Sequence, residues 1–347
     1  MKNKILEEKI KNFNPNENGL AYHGIFGLPF EAEESRMVLV PVPWEATVSY
    51  GTGTAEGPKA ILDASQQIDL HDHLYPNGWK NGIAMADIPA SIFFKSKQTR
   101  VKTEKYLEKL YYGKQMDKEL LNEINTDCLE LKNYVEETTK KLLKEGKIVG
   151  VVGGDHSVPL GYYEALSKKH KDFGILQIDA HADMREAYQG LEYSHASIFF
   201  NALKIKNISR IVSVGVRDFS IEELELITKE KKRISLFTDY EIKKAIFNGG
   251  TWAKECDKIV KELPKEVHIS FDIDGLNPNL CPNTGAPVHG GFTIDEVVYL
   301  FEKIIAKGKK IIGFDLCEVA KGVGEWDGNV GSRVLYKLCL LTLKSNK

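Results

Sequence analysis

The feature that most restricts this chain is a set of apolar runs that each stop at Asp or His. Lys147-Ile148-Val149-Gly150-Val151-Val152 delivers Gly153-Gly154-Asp155-His156-Ser157, and Phe173-Gly174-Ile175-Leu176-Gln177-Ile178 delivers Asp179-Ala180-His181-Ala182-Asp183. A third run, Val267-His268-Ile269-Ser270-Phe271, delivers Asp272-Ile273-Asp274. Apolar runs of this length read as strands covered on both faces, as in a parallel α/β sheet. Such a sheet binds ligands in the crevice outside the carboxyl ends of its strands. The rest of the chain then reads as scaffold and loops around that edge.

With 347 residues, 42% apolar and 28% charged, the chain is long enough for one large core. A formal charge of -2 gives no electrostatic footing for a nucleic-acid partner. No apolar run is long enough to cross a bilayer, so no membrane partner is expected. Glu7 and Glu8 follow the basic start Met1-Lys2-Asn3-Lys4 without a secretory apolar stretch. Cys128, Cys256, Cys281, Cys317 and Cys339 are scattered and form no CxxC pair, which suits a reducing compartment; the expected location is the cytoplasm.

Residues 1–35 read as an N-terminal arm, with a short helix at 4–11, a turn-rich stretch at 12–19, and Tyr22, Phe26, Leu28 and Phe30 as anchors. Residues 36–347 read as a single catalytic domain. A strand at 37–42 enters a glycine-containing loop without GxGxxG or Gly-Lys-Ser/Thr, so a loop at the active edge is expected in place of a nucleotide site. Helices are expected after Gly57-Pro58, through 101–145, and at 159–170, 197–204, 221–227, 238–247, 293–306 and 329–342. Further strands are expected at 83–89, 211–214 and 236–237, and at 310–314, which delivers Asp315-Leu316-Cys317-Glu318. Strands and helices alternating in this way define an α/β chain, a three-layer α/β/α sandwich with a mainly parallel sheet.

Side chains alternate along an extended segment, so Asp179, His181 and Asp183 converge, as do Asp272 and Asp274. With His156 they form a set of four carboxylates and two imidazoles, suited to a pair of divalent ions such as Mn²⁺. Four aspartates against two such ions leave a centre near neutrality, which favours a cationic substrate over a phosphate ester. No serine or cysteine elbow accompanies them. A two-metal phosphatase would call for phosphate-binding groups, for which only Arg185 and Arg217 are nearby candidates.

The three motifs together resemble those of the ureohydrolase (arginase/agmatinase) family, over about residues 38–340. The resemblance implies hydrolysis of a guanidino C–N bond to release urea, by attack of a hydroxide bridging two metal ions. It implies one ion on His156, Asp179, Asp183 and Asp272, and a second on Asp179, His181, Asp272 and Asp274. Mn²⁺ is the expected metal, and Ni²⁺ suits the same donors. By the same resemblance Asp183 orients the hydroxide, His195 shuttles protons, and Glu318 holds the guanidinium, while Asp155 supports the histidine loop. The expected partner is a small cationic guanidino substrate, nominally agmatine. Guanidine hydrolase, arginase, guanidinobutyrase and formimidoylglutamase activities are the alternatives, and a metal-binding homologue without activity is the non-enzymatic one. The resemblance also implies a homo-oligomer, a trimer or hexamer. The substrate loops are atypical: Asn277 stands where the family usually has Asp, and the 320–329 segment and the Pro43-Trp44-Glu45 loop also depart. Trp44, Tyr50 and Trp326 are candidates for narrowing the pocket.

Overall fold

Among the described residues eight strands form one sheet: β1 Met37–Val42, β2 Ile83–Met85, β3 Ile148–Gly153, β4 Phe173–Ile178, β5 Ile208–Val214, β6 Ile234–Phe237, β7 Glu266–Asp272 and β8 Lys310–Cys317. They lie in the order β2-β1-β3-β8-β7-β4-β5-β6, and every pairing is parallel. The structure is a computed structural model that describes residues 2–16, 24–113 and 115–347. The helices are α1 Lys2–Asn12, α2 Gly57–Ser65, α3 Ala90–Tyr111, α4 Lys118–Lys144, α5 Leu160–Ser167, α6 Ile198–Ala202, α7 Ile221–Lys229, α8 Asp239–Phe247, α9 Trp252–Glu262, α10 Ile294–Ala306 and α11 Trp326–Ser345.

Alternation along the buried strands feeds two cores. Leu176, Ile178, Ile269 and Phe271 join one, beneath α9, α10 and α11. Val149, Val151 and Ile175 join the other, beneath α4, α5 and α6. This is the expected three-layer α/β/α sandwich. All five cysteines are buried and free. Among the described residues no helix is long and apolar enough to cross a membrane.

Several elements differ in extent from the sequence expectation, as β2 does by ending at Met85, and the larger differences concern helices. The helical stretch at 101–145 is two helices. Gly113, at φ 64°, ends α3, and the Asp117 side chain caps α4 by accepting from the Leu120 N–H. Helix α9 was not anticipated, although its buried Cys256, Ile259 and Val260 follow helical spacing and the Thr251 side chain caps it. Helix α11 begins at Trp326, ahead of 329, because Asp327 is buried there and accepts the Asn283 N–H at 3.0 Å and its side-chain amide at 2.9 Å.

The N-terminal segment packs on the chain's own core where it is described. The Phe13 ring lies 5.3 Å from Trp79 and Phe26 lies 4.8 Å from Tyr336, while Leu28 and Phe30 are buried. The Lys147 ammonium donates to the carbonyls of Ala32, Glu33 and Ser35 at 2.6–2.8 Å, fastening this segment to the start of β3. Tyr22 and residues 17–19 of the turn stretch lie outside the described residues.

Strand order explains why distant motifs meet. From β3 the chain passes to β4 over two empty positions, which β7 and β8 fill later. The carboxyl ends of β3, β8, β7 and β4 therefore stand side by side at the centre of the sheet, carrying His156, Glu318, Asp272 and Asp179.

Candidate metal centre

His156, buried at the end of β3, turns Nδ1 to three carboxylates. It lies 3.1 Å from Asp179 Oδ2, 3.1 Å from Asp183 Oδ2 and 3.2 Å from Asp272 Oδ2. Beside this group, His181 Nδ1 lies 2.9 Å from Asp274 Oδ2 and 3.7 Å from Asp179 Oδ1. Each of these two groups converges tightly enough to hold a cation, and Asp179 belongs to both. Asp272 falls in the first group only. Its Oδ1 already accepts the Asp274 N–H at 2.9 Å and closes the turn after β7.

The donor set fits metal ions. Asp179, Asp183, Asp272 and Asp274 are all buried, and clustered buried carboxylates are costly unless cations balance them. Burial, then the Asp179 charge, pushes Asp183 up to about 7. Burial works against a charged His181, yet Asp274, Asp179 and Asp183 carry it up to about 11. The imidazoles thus hold protons where cations would sit.

A buried network fixes the ligand histidine from behind. His156 Nε2 lies 2.9 Å from Ser270 Oγ, which donates to Asp315 Oδ1 at 2.8 Å. Tyr163 donates to the same serine at 2.9 Å, and His268 Nε2 lies 2.6 Å from Asp315 Oδ2. With its proton committed to acceptors, Ser270 accepts from His156 Nε2–H, and Nδ1 is left for a metal. Sequence reasoning missed Ser270, although it stands two residues before Asp272 and so on the same side of β7. His156, Asp315 and Cys317 also lie near one another, but hydrogen bonds saturate that carboxylate. Burial and Asp315 also hold the Cys317 thiol well above its ordinary range.

The pocket above the centre has a volume of about 220 Å³. Glu318 reaches it from β8 with its backbone at φ 64°, and Oε1 accepts the His156 N–H at 2.9 Å. Its other oxygen faces Gly285, where an added Cβ would lie 2.9 Å away. Asp183 also lines the pocket and sits at φ 54°. Backbone strain at both residues is stored where the side chains must be aimed. His195 lines the same pocket, and its Nδ1 is shut from solvent with no partner among the described residues. Burial first, and then His181 and His156, push it down to about 4.

Of the outer wall, the sequence points only to Arg185. Asp218, Glu223, Arg185 and Tyr188 line it. Glu223 is buried, accepts the Met184 N–H at 3.0 Å and caps α7, while Arg185 lies over the Tyr188 ring at 4.8 Å. Asp218 is exposed, and its carboxylate has no partner among the described residues. Arg217 is committed to backbone: its guanidinium donates to the carbonyls of Asp274 at 2.6 Å, Val288 at 3.0 Å and His289 at 3.0 Å. Of the three aromatic candidates only Tyr50 lines the pocket. Trp44 is fully buried, and Trp326 Nε1 donates to the Asn279 carbonyl outside it.

An α/β/α sandwich with two adjoining oxygen and nitrogen donor groups at its carboxyl edge defines a binuclear metal-binding fold. The arginase family model matches residues 35–339. The N(1)-aminopropylagmatine ureohydrolase of Thermus thermophilus is 31% identical over 288 residues, 83% of this chain and 84% of that protein. The guanidinobutyrase of Pseudomonas aeruginosa is 29% identical over 63% of this chain and 68% of its own. The agmatine ureohydrolase of Thermoplasma volcanium superposes with a TM-score of 0.70 at 24% identity, covering 97% of each chain. The chain belongs to the arginase family, and its donor groups are consistent with ureohydrolase chemistry on two metal ions.

Proposed function

We propose that this protein hydrolyses the guanidino C–N bond of agmatine to urea and putrescine, with Mn²⁺ at the two donor groups and Ni²⁺ as the alternative metal. The observation that carries the reading is one pocket with a carboxylate at each end. Glu318 stands over the donor groups, and unpartnered Asp218 stands at the rim. A planar guanidinium suits the inner carboxylate, and a terminal ammonium suits the outer one. A substrate ending in a carboxylate meets like charge at Asp218.

When bound, the two ions supply a water of lowered pKa and Lewis acidity toward the guanidino carbon. His156, Asp179, Asp183, Asp272, His181 and Asp274 hold them. Glu318 binds and orients the guanidinium, its Oε1 steadied by the His156 N–H. Asp183 takes up the proton released as the nucleophile attacks. His195, a weak base in this setting, accepts that proton only transiently and passes it to the departing nitrogen. The chain is proposed to assemble as a trimer or hexamer, which light scattering tests.

The test is product release from agmatine, arginine, guanidinobutyrate, guanidine and formiminoglutamate, with protein loaded separately with Mn²⁺ or Ni²⁺. Urea from agmatine with the highest kcat/KM is expected. A higher kcat/KM for another guanidine, formamide from formiminoglutamate, or silence despite two bound ions overturns the assignment.

A further inference from the structure

The hairpin of α3 and α4 touches both walls of the pocket. On one side, the Arg100 guanidinium donates to the Val48 carbonyl, and Ser96 Oγ accepts the Glu45 N–H at 2.9 Å. That loop carries Val48 and Tyr50 to the pocket. On the other side, Tyr106 OH donates to the Gln189 carbonyl at 2.9 Å. Asn125 Nδ2 donates to the Gly190 carbonyl at 3.2 Å, and its Oδ1 accepts the Glu192 N–H at 3.0 Å. This second loop carries Tyr188 and His195.

The gripped turn closes with two hydrogen bonds of its own, Gly190 N–H to the Ala187 carbonyl and Leu191 N–H to the Tyr188 carbonyl, both 3.0 Å, which leave the Gln189 and Gly190 carbonyls to the hairpin. Gln189 and Gly190 are consecutive left-handed residues, at φ 56° and 85°, and a non-glycine residue there is disfavoured. The carbonyls of those same two residues are the ones that Tyr106 and Asn125 engage. The fit is close as well as polar: a Cβ on Gly190 would lie 3.0 Å from Leu121 Cδ2 and 3.1 Å from Tyr106 OH. The helices are themselves cross-linked, since Asp127 on α4 accepts from Thr99 at 3.1 Å and Lys102 at 3.0 Å on α3. Tyr106 is fully buried, so its hydroxyl has no water to fall back on.

We propose that the α3–α4 hairpin is a clamp that sets the spacing of the pocket walls, with Tyr106 and Asn125 as positioning residues for the turn that carries Tyr188 and His195. The proposal rests on the reading that His195 moves a proton in this pocket. Loosening the turn displaces that imidazole without touching a metal donor, and a misplacement on the order of 1 Å is enough to lower turnover about 10- to 100-fold.

The test compares Asn125→Ala and Tyr106→Phe with wild type, all metal-loaded, by hydrogen exchange, metal content and steady-state kinetics. Expected are two bound ions, faster exchange across residues 188–195, a kcat lower by about 10-fold or more for Asn125→Ala, and a KM within about threefold. Asn125→Asp keeps the acceptor for the Glu192 N–H, and a partial return of kcat in that variant supports positioning. Wild-type kcat in a variant whose turn exchanges faster, or unchanged exchange in both variants, overturns the clamp. If wild type is silent on every substrate, the functional reading fails separately, and exchange decides the clamp. Loosening that spreads from Glu192 across 188–195 supports it; loosening confined to Glu192 overturns it.

Discussion

The backbone N–H of His156 donates to Oε1 of Glu318 at 2.9 Å, so the end of β3 and the end of β8 hold one another at the floor of the pocket. One residue offers a ring nitrogen to the donor group and its amide to a carboxylate. The carboxylate keeps its second oxygen for the pocket. Glu318→Gln retains the acceptor for that amide and removes the charge. Two metal ions should still bind, while kcat/KM for a guanidino substrate falls about 10- to 150-fold, the loss of about 1.5–3 kcal/mol from a charge-assisted hydrogen bond. Steady-state kinetics beside metal analysis checks it. Unchanged kcat/KM removes Glu318 from guanidinium binding.

Metal uptake should release protons. Carboxylates hold His156 and His181 protonated against the pull of burial, and a ligand nitrogen must lose its proton to bind. Loading metal-free protein near pH 7 should release at least roughly one proton per histidine, with the raised carboxyls of Asp183 and Asp272 adding to the count, and affinity should rise with pH. Stripping with a chelator should lower Tm, since an ion at 100 times its Kd contributes about 2.7 kcal/mol. Calorimetry in buffers of different ionisation enthalpy counts the protons, and a count near zero contradicts the protonated pair.

Asp218 is exposed at the rim, so its contribution to binding should be small and screened. Asp218→Asn should raise KM for agmatine about two- to fivefold at low salt, an effect largely lost near 1 M salt. Guanidine has no tail to reach the rim, so its KM should not move. An equal change for both substrates argues against recognition of the tail at Asp218.

Asp72, buried beside α11, tests the scaffold. Burial works to raise its pKa, but the Lys337 ammonium and the N–H groups of Leu74 and Tyr75 outweigh it and hold the carboxylate below its ordinary value of 3.8. A depressed pKa means stability that is present above the unfolded pKa and lost as pH falls through the folded one. Lys337→Met should therefore destabilise the protein by about 1–3 kcal/mol at pH 7, and by progressively less below about pH 4. Urea midpoints at both pH values check it, and a pH-independent difference contradicts the ion pair.

The alternation of Asp179-Ala180-His181-Ala182-Asp183 and of Asp272-Ile273-Asp274, together with His156 after an apolar run, was enough to name the ligand-type residues and the layered fold. Local periodicity carries that information up to the strand ends; beyond them Asp183, at φ 54°, and Asp274, in the 3-10 turn Ile273–Gly275, are aimed by turn geometry that alternation does not describe. Tertiary structure decided the rest. Strand order alone brought β7 and β8 between β3 and β4, and with them Ser270 and Asp315 beneath His156. The grip of Tyr106 and Asn125 on the 189–192 segment joins residues 65 to 83 positions apart, and the rim set of Asp218, Arg185 and Tyr188 comes from the segments that follow β5 and β4. The family resemblance implies that Asp272 is shared between two ions; in the packed chain its Oδ2 converges with the His156 group, while its Oδ1 also accepts the Asp274 N–H and closes the turn. Side-chain type and spacing fix which groups can bind a cation; only the packed chain fixes which lone pairs remain free to do so.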